Sequence, residues 1–467
     1  MKKIIFYSAG IILFIGITVG LFALRFHLFP SGRVVVRDGK LVAVPDVGYE
    51  FESWSNGFEE AEAPFFKNLF AKPSFRRVRL DLPMLVIETE HGKEIESKET
   101  YLNCTVSLTA DGELSFDGVT ARVKGRGNST FGLDKKPYKL KFDEKISVLG
   151  EDKAKEWTLI ANHMDYSLIR NHIAYSLGET LELPYTTSAN FVDVYVNDEY
   201  MGVYLLCEQV EVGKSRVDIE DSLEVDETGY LIEYDARAPE EGKEGIDYFY
   251  SRAGSLPYAI KSPDTEDELF TEKRVTFIKN YVNEAYDALL SGNYSEVCRY
   301  IDIDTFINGY ILDELLKTTD IGFSSFYLYK DAGGKLSRGP VWDYDLAIGN
   351  SVHEGAASPE SIYAGAVNPW YAELITYPEF RQAVAERLIE KEDEIKETFA
   401  KSIDLAKSYS RSFERNFDKW NDLLGNHCFD LTAREICEIK TQDGQLAYLE
   451  DWLGRSLAYM TKEYCEQ

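Results

Sequence analysis

Asp343 and Asp345, in the run "RGPVWDYDLAIGN", are the residues whose spacing most directly suits a reaction. On extended chain, positions i and i+2 face the same way. Two carboxylates on one side of a strand suit a divalent ion that takes oxygen ligands. Gly349 follows as a local hinge. Upstream, Asp320 ends a helical stretch, and Ser325 opens a strand over Phe326–Tyr329 five residues later. A turn at Asp331–Gly334 leads into a second strand, which ends at the acidic pair. Only one hairpin separates Asp320 from Asp343 and Asp345, so the three carboxylates are expected to meet in space.

A second group carries the opposite charge. The chain has a formal net charge of −29, yet residues 122–145 hold eight Lys or Arg against three acids. Within "RVKGRGNST", Gly125 and Gly127 let backbone N–H groups approach an anion. Gly132 serves the same approach, and Asn128, Ser129 and Thr130 add donors. In the strand that follows, Lys139 and Lys141 are two apart and share a face. Donor-rich loop above, lysine-bearing strand below: this is a way to hold a triphosphate. The acidic balance excludes nucleic acid as the main partner, because phosphate contacts need basic surface; it favours cationic substrates or metal ions.

These groups need scaffolding. "RVVVRDGKLVAV" reads as a hairpin around Asp38-Gly39. Residues from Val78 to about Phe142 alternate as an antiparallel sheet. "DYSLIRNHIAYSL" has helical spacing with Asp165 as N-cap. The two alternating runs around Asn197-Asp198 form another hairpin. Beyond Glu266 the pattern is mostly helical, and after Pro378 it is amphipathic and rich in Lys, Glu and Arg. The six cysteines lack Cys-x-x-Cys spacing, and the six histidines give no zinc motif. At the N-terminus, Ile4–Leu24 is a 21-residue span without charge, preceded by Lys2 and Lys3. It predicts a single membrane-crossing helix, or a cleaved signal peptide, with the N-terminus inside and the globular part outside the cell membrane.

The order of the chemical groups also fits a protein kinase template: Gly-rich turn, strand lysine, helix, Asp base, metal ligand five residues on, hairpin, then metal-binding Asp. His-Arg-Asp, Asp-Phe-Gly and Ala-Pro-Glu are absent. Five segments in sequence resemble the spore-coat CotH-type atypical protein kinases: "GRGNST" with "KKPYKLKF", "WTLIANHMDYSLIRNHIAYSL", "GVYLLCEQVEVGKSRV", "YAIKSPD" and "SSFYLYKDAGGKLSRGPVWDYDLAIGN". Together they cover roughly residues 80–380.

The resemblance implies an α+β, two-lobed, kinase-like fold preceded by the transmembrane helix. Its expected parts are an anchor (1–28), a membrane-proximal segment (29–78), a β-rich nucleotide-binding lobe (79–265) and a helical catalytic lobe with its tail (266–467). It implies ATP, Mg²⁺ or Mn²⁺, and transfer of the γ-phosphate to Ser or Thr of secreted or surface proteins. By the same resemblance Asp320, Asp345 and Lys139 form the catalytic set. Arg122, Arg126, Gly127, Asn128, Ser129, Thr130, Lys139, Lys141 and Glu208 bind ATP, and Asp343, Asp345 and Ser325 hold metal. Ser325 stands where the template has Asn, a weaker position for a second ion. Either Lys139 or Lys141 contacts phosphate. Glu208 is the expected ion-pair partner, with Glu179 and Glu182 as alternatives. Arg170 and Asn171 belong to the pattern without an evident chemical role. A non-catalytic surface adhesin with the same fold, and a protein AMP transferase, are the competing functions.

Overall fold

A computed structural model describes residues 81–466, except Gly112, Ser129, Asp226, Asp422 and Asn426, and four strands before them. Those strands are β1 (Arg33–Arg37), β2 (Lys40–Val44), β3 (Tyr49–Phe51) and β4 (Arg77–Arg79). β1 and β2 pair antiparallel, as the Val-rich alternation predicts.

Seven further strands close a barrel: β5 (Met84–Thr89), β6 (Leu102–Ala110), β7 (Glu113–Gly125), β8 (Tyr138–Ile146), β9 (Ala154–Ile160), β10 (Ala189–Val196) and β11 (Glu199–Glu208). Around the barrel the order is β10-β11-β9-β8-β7-β6-β5. Closure is a parallel pairing of β10 with β5, Asp193 to Val196 against Met84 to Ile87. Alternate residues such as Val106, Val123, Leu140, Trp157, Val194 and Leu206 fill one apolar core. Closing the sheet through β10 and β5 removes the edges that would otherwise be left unpaired. The Asn197-Asp198 turn joins β10 to β11 with both residues at positive φ, as a primed two-residue turn requires.

A second, antiparallel sheet has the order β13-β14-β12-β15-β16. It is built from β12 (Tyr230–Tyr234), β13 (Tyr248–Tyr250), β14 (Pro257–Ser262), β15 (Phe326–Lys330) and β16 (Ser337–Arg338). Six helices of ten residues or more occur among the described residues. They are α1 (Arg170–Thr180), α2 (Glu272–Leu290), α3 (Ile303–Leu316), α4 (Pro378–Ser408), α5 (Ser410–Lys419) and α6 (Gln442–Cys465). From Thr305 to Leu316 every residue of α3 is buried, so this helix is a core element with no solvent face. Cys428 and Cys437 form a disulfide, while Cys104, Cys207, Cys298 and Cys465 are unpaired thiols.

The structure corrects the two-lobed, kinase-like expectation. The strands of the first half curl into a closed barrel, and the second sheet draws β12–β14 from before residue 265 and β15–β16 from after it. Late helices also return to the barrel. Asn416 on α5 accepts from Val203 N at 3.0 Å and from the buried Lys135 Nζ at 2.8 Å. Ser412 donates to the buried Asp193 at 2.8 Å. Strand and helix are thus interleaved in space as well as in sequence. The expected transmembrane helix, and the cell-membrane placement and membrane contact built on it, are corrected too. Among the described residues no helix is long and apolar enough to cross a membrane, and Ile4–Leu24 lies outside them.

Helix α1 starts later than its sequence suggests. Asp165 accepts from Ser167 N (2.9 Å) and Arg170 N (2.8 Å), so it caps from five residues upstream of the first helical residue. His172 on α1 stacks on Phe191 at 5.3 Å between ring centroids, and its Nδ1 is enclosed without a hydrogen-bond partner. Burial pushes its pKa down from 6.5 to about 4. The unfolded chain therefore binds one more proton than the folded one between those values, and stability falls as pH drops from about 6.5 toward 4. We expect His172→Phe to flatten that part of a pH-dependent urea melt, by up to about 3 kcal/mol. An unchanged slope would contradict the assignment.

Candidate active site

Two buried polar networks shape the chain that carries Asp343 and Asp345. The residues before it, 339–342, are irregular chain instead of the expected second strand, because β16 ends at Arg338. Asn171 Oδ1 accepts from Tyr344 N at 2.7 Å and Asn171 Nδ2 donates to Asn162 Oδ1 at 3.0 Å. Arg170 is fully buried against Asp165 at 2.5 Å and donates to Ala347 O (2.8 Å) and Ile348 O (3.3 Å). The Arg-Asn pair of α1 is thus a clamp on the acidic segment. Behind it, the Tyr344 hydroxyl donates to Asp313 on α3, which also accepts from Tyr371 Oη (2.7 Å) and Arg338 (3.3 Å). Tyr344 points into this network while its neighbours Asp343 and Asp345 line a cleft.

Asp320 reaches the same cleft by a different route. Helix α3 stops at Lys317, whose φ of 49° is left-handed, and a 3₁₀ turn at Thr319–Gly322 follows. Thr319 N donates to Leu346 O at 3.1 Å and Thr318 Oγ1 to Asp343 O at 3.4 Å. These bonds stitch the Asp320 turn to the Asp343 segment. Ser325 Oγ donates to Asp343 Oδ2 at 3.2 Å. Both Ser325 (φ 60°) and Asp343 (φ 69°) adopt left-handed backbone, a conformation that costs energy outside glycine.

The cleft has a volume of about 610 Å³ and is lined by Asp320, Ser325, Asp343, Asp345 and the loop residues Arg126, Gly127, Asn128 and Thr130. Acids and basic loop, 200 residues apart in the chain, therefore face one space. Arg126 seals the arrangement, its guanidinium lying over the Trp342 ring at 5.4 Å. Gly127 is required here: at φ 81° a Cβ would sit 2.3 Å from Thr130 Oγ1. Ser129 lies outside the described residues. The N–H groups of Gly125 and Arg126, expected to approach an anion, instead donate to Ser97 O (2.9 Å) and Pro137 O (3.1 Å).

Arg122, Lys139, Lys141 and Glu208 do not line this cleft. Arg122 lies over the Tyr101 ring at 5.6 Å. Lys139 and Lys141 share a face as parity requires, and both bind Glu156 on β9 at 2.5 Å. Lys139 borders an adjoining cleft on the other side of the loop, with Lys124, Gly125 and Gln209. Lys141 faces a separate one with Lys145, Lys153 and Lys155. Glu208 is not their partner. It is paired in register with Trp157, whose side chain points opposite to that of Glu156, and its ion pair is to Arg216 at 3.5 Å. Of the alternatives, Glu182 pairs with Lys391 at 2.7 Å, and the partner that Lys139 and Lys141 do have is Glu156, not Glu179.

Residues that sequence reasoning missed complete the cleft: Glu233 and Asp235 near the end of β12, Arg237, Lys261, Trp342 and His353. "YAIKSPD" contained Lys261, but nothing local marks it as different from a surface lysine.

Electrostatics set the three carboxylates apart. Among the described residues none is joined to Lys or Arg by an ion pair. Burial, then repulsion from Asp343, Asp320 and Asp165, pushes the Asp345 pKa well above the carboxylate range. Burial, then Asp343, raises Asp320 to about 6, with Arg237 opposing. Asp320 and Asp345 are thus desolvated and repelled by neighbouring acids, a state that a cation relieves. Among the described residues no three His, Cys, Asp or Glu side chains form a ready-made metal cage. Mg²⁺ fits such a site, since it is ordinarily held by one or two carboxylates together with substrate phosphates and water.

Barrel, second sheet and an acid-lined cleft under the Arg126 loop define the site. The family model described as CotH kinase protein matches residues 123–460, and the chain belongs to that family. The match runs through α4, α5 and α6, so the helical tail, outside the sequence resemblance, is part of the family unit. No curated protein matches the chain.

Proposed function

We infer that this CotH kinase family member transfers the γ-phosphoryl group of ATP to a Ser or Thr hydroxyl of a protein. The observation that carries the reading is the convergence of Arg126 and its loop with Asp320, Asp343 and Asp345 on one cleft. Asp343 and Asp345 would hold Mg²⁺ or Mn²⁺, with Ser325 orienting Asp343. Such an ion supplies charge neutralisation for the phosphates. Asp320, raised to about 6 and therefore largely ionised at neutral pH, takes the acceptor's proton. The Arg126–Thr130 loop closes over the phosphates, and Arg126 keeps it seated on Trp342. Most of the catalysis is positional and electrostatic, as phosphoryl transfer requires.

Label from γ-labelled ATP, but not from α-labelled ATP, is expected to enter protein when the full chain is incubated with Mg²⁺ or Mn²⁺. Label from the α position would mean AMP transfer. No label, together with no thermal stabilisation by ATP and metal, would mean a non-catalytic protein.

The two strand lysines should behave differently. Lys139 borders the loop's underside and Lys141 does not. Lys139→Ala is expected to raise KM for ATP roughly tenfold, the scale of one lost charged contact, and Lys141→Ala to leave it within about twofold. Equal effects would show that the shared Glu156 contact, and not proximity to the loop, decides.

A further inference from the structure

A second lysine–carboxylate pair stands inside the cleft itself. Lys261, on β14, lines the cleft and reaches Glu233 Oε2 of β12 at 2.9 Å. Its side chain keeps 31% of its surface accessible, whereas Glu233 is buried. The other Glu233 oxygen, Oε1, accepts from Ser325 N at 3.0 Å, and Ser325 Oγ donates to Asp343 Oδ2 at 3.2 Å. One continuous path therefore joins Lys261 to an acid of the candidate metal site. Lys139 and Lys141 have no such link to Asp343: both pair with Glu156, and Lys139 meets the loop only from the adjoining cleft.

Building on the phosphoryl-transfer reading, we propose that Lys261 is a catalytic lysine of this site, its ammonium contacting the terminal phosphoryl group of the bound triphosphate. Glu233 holds the ammonium in place and couples its position to Ser325 and Asp343. Three arguments support the assignment. An ammonium has three donors, and the Glu233 bond uses one, leaving two for phosphate oxygens. Arg126 and Arg237 lie against the Trp342 and Phe323 rings, Arg237 at 5.6 Å, whereas Lys261 is tied through Glu233 and Ser325 to Asp343. Burial draws the Lys261 ammonium toward neutrality, but Glu233 outweighs it and the pKa is raised, so the charge persists at neutral pH.

In the transfer, the acceptor oxygen bonds to the γ-phosphorus. The bond to the β–γ bridging oxygen breaks, and its electron pair leaves with ADP. The hydroxyl proton passes to Asp320. Lys261 offsets negative charge on the transferring group's oxygens, where a fixed cation is placed to act.

The test uses the full chain with ATP and Mg²⁺ or Mn²⁺, measuring kcat, KM and the thermal stabilisation by ATP and by ADP. Lys261→Met is expected to cut kcat/KM by about 10²-fold and to abolish any excess of ATP over ADP stabilisation, with the ligand-free melting temperature near wild type. Lys139→Met should keep that excess. Activity of Lys261→Met within about threefold of wild type, or equal loss of ATP and ADP stabilisation, overturns the proposal; the threefold margin is under 1 kcal/mol. Should Lys261→Met fail to fold, Lys261→Arg decides. It retains charge but misplaces the donors, so a fall in kcat supports the proposal and a wild-type kcat overturns it. A wild-type chain that neither binds ATP nor transfers phosphate overturns the phosphoryl-transfer reading, and this inference with it. Wild-type transfer alongside an unimpaired Lys261→Met sinks this inference alone.

Discussion

Asp345→Asn should abolish phosphoryl transfer and leave the protein as stable as wild type, or more stable. Both halves follow from the surroundings of the carboxylate. Asp345 is buried, lacks a cationic partner among the described residues, and is repelled by Asp343, Asp320 and Asp165. Without a cation these surroundings hold the carboxyl toward its neutral form, so a neutral isostere is expected to cost the fold little or nothing. Retaining the charge makes physical sense if a cation and a triphosphate arrive during turnover. Losing one such group typically removes about 10²–10³ in rate. The measurement pairs a thermal melt without ligand with a transfer assay. A less stable variant that kept its activity would show Asp345 to be structural.

Asp313 predicts the opposite pattern. It is fully buried, and its carboxylate accepts from Arg338, Tyr344 and Tyr371. Asp313→Leu strands the buried Arg338 guanidinium and is expected to cost about 3–5 kcal/mol, the usual consequence of removing one partner of a buried pair. Arg338→Met alone should be comparably damaging, because it leaves the Asp313 charge unpaired. The double variant should lose far less than the sum of the singles, for two apolar side chains of similar volume can replace a buried pair. Urea unfolding of the four proteins gives the cycle directly. Additive losses would mean that Asp313 acts through the tyrosines and not through Arg338. Activity should fall too, since Tyr344 sits between the two acids that it helps to aim.

Features carried by short-range periodicity were legible in the sequence. The same-face pair Lys139 and Lys141, the Asn197-Asp198 hairpin, strand β15 and the late amphipathic helices all rest on spacing within a dozen residues. Asp343 and Asp345 do line the cleft with Tyr344 turned away, but not on the extended strand that their spacing predicts, since Asp343 is left-handed at φ 69°. Long-range features were not legible. Barrel closure depends on β10 meeting β5 in parallel across about a hundred residues, and neither strand announces its partner. Glu208 was misassigned because its side of the barrel is set by pairing with Trp157, a register that no local pattern gives. Lys261 and Glu233 become neighbours only because β12 and β14 are adjacent. Arg170 and Asn171, which have no evident chemical role in the sequence, serve as the clamp on residues 344–348. Their polarity reflects the satisfaction of buried backbone groups, as buried irregular chain requires.

The most direct test of the central claim is the intact mass of the protein products after incubation of the full chain, alone and with casein, with ATP and Mg²⁺ or Mn²⁺. The account predicts increments of one or more phosphates with wild type and none with Asp345→Asn. An adenylate increment, or unmodified protein with either ion, would contradict it.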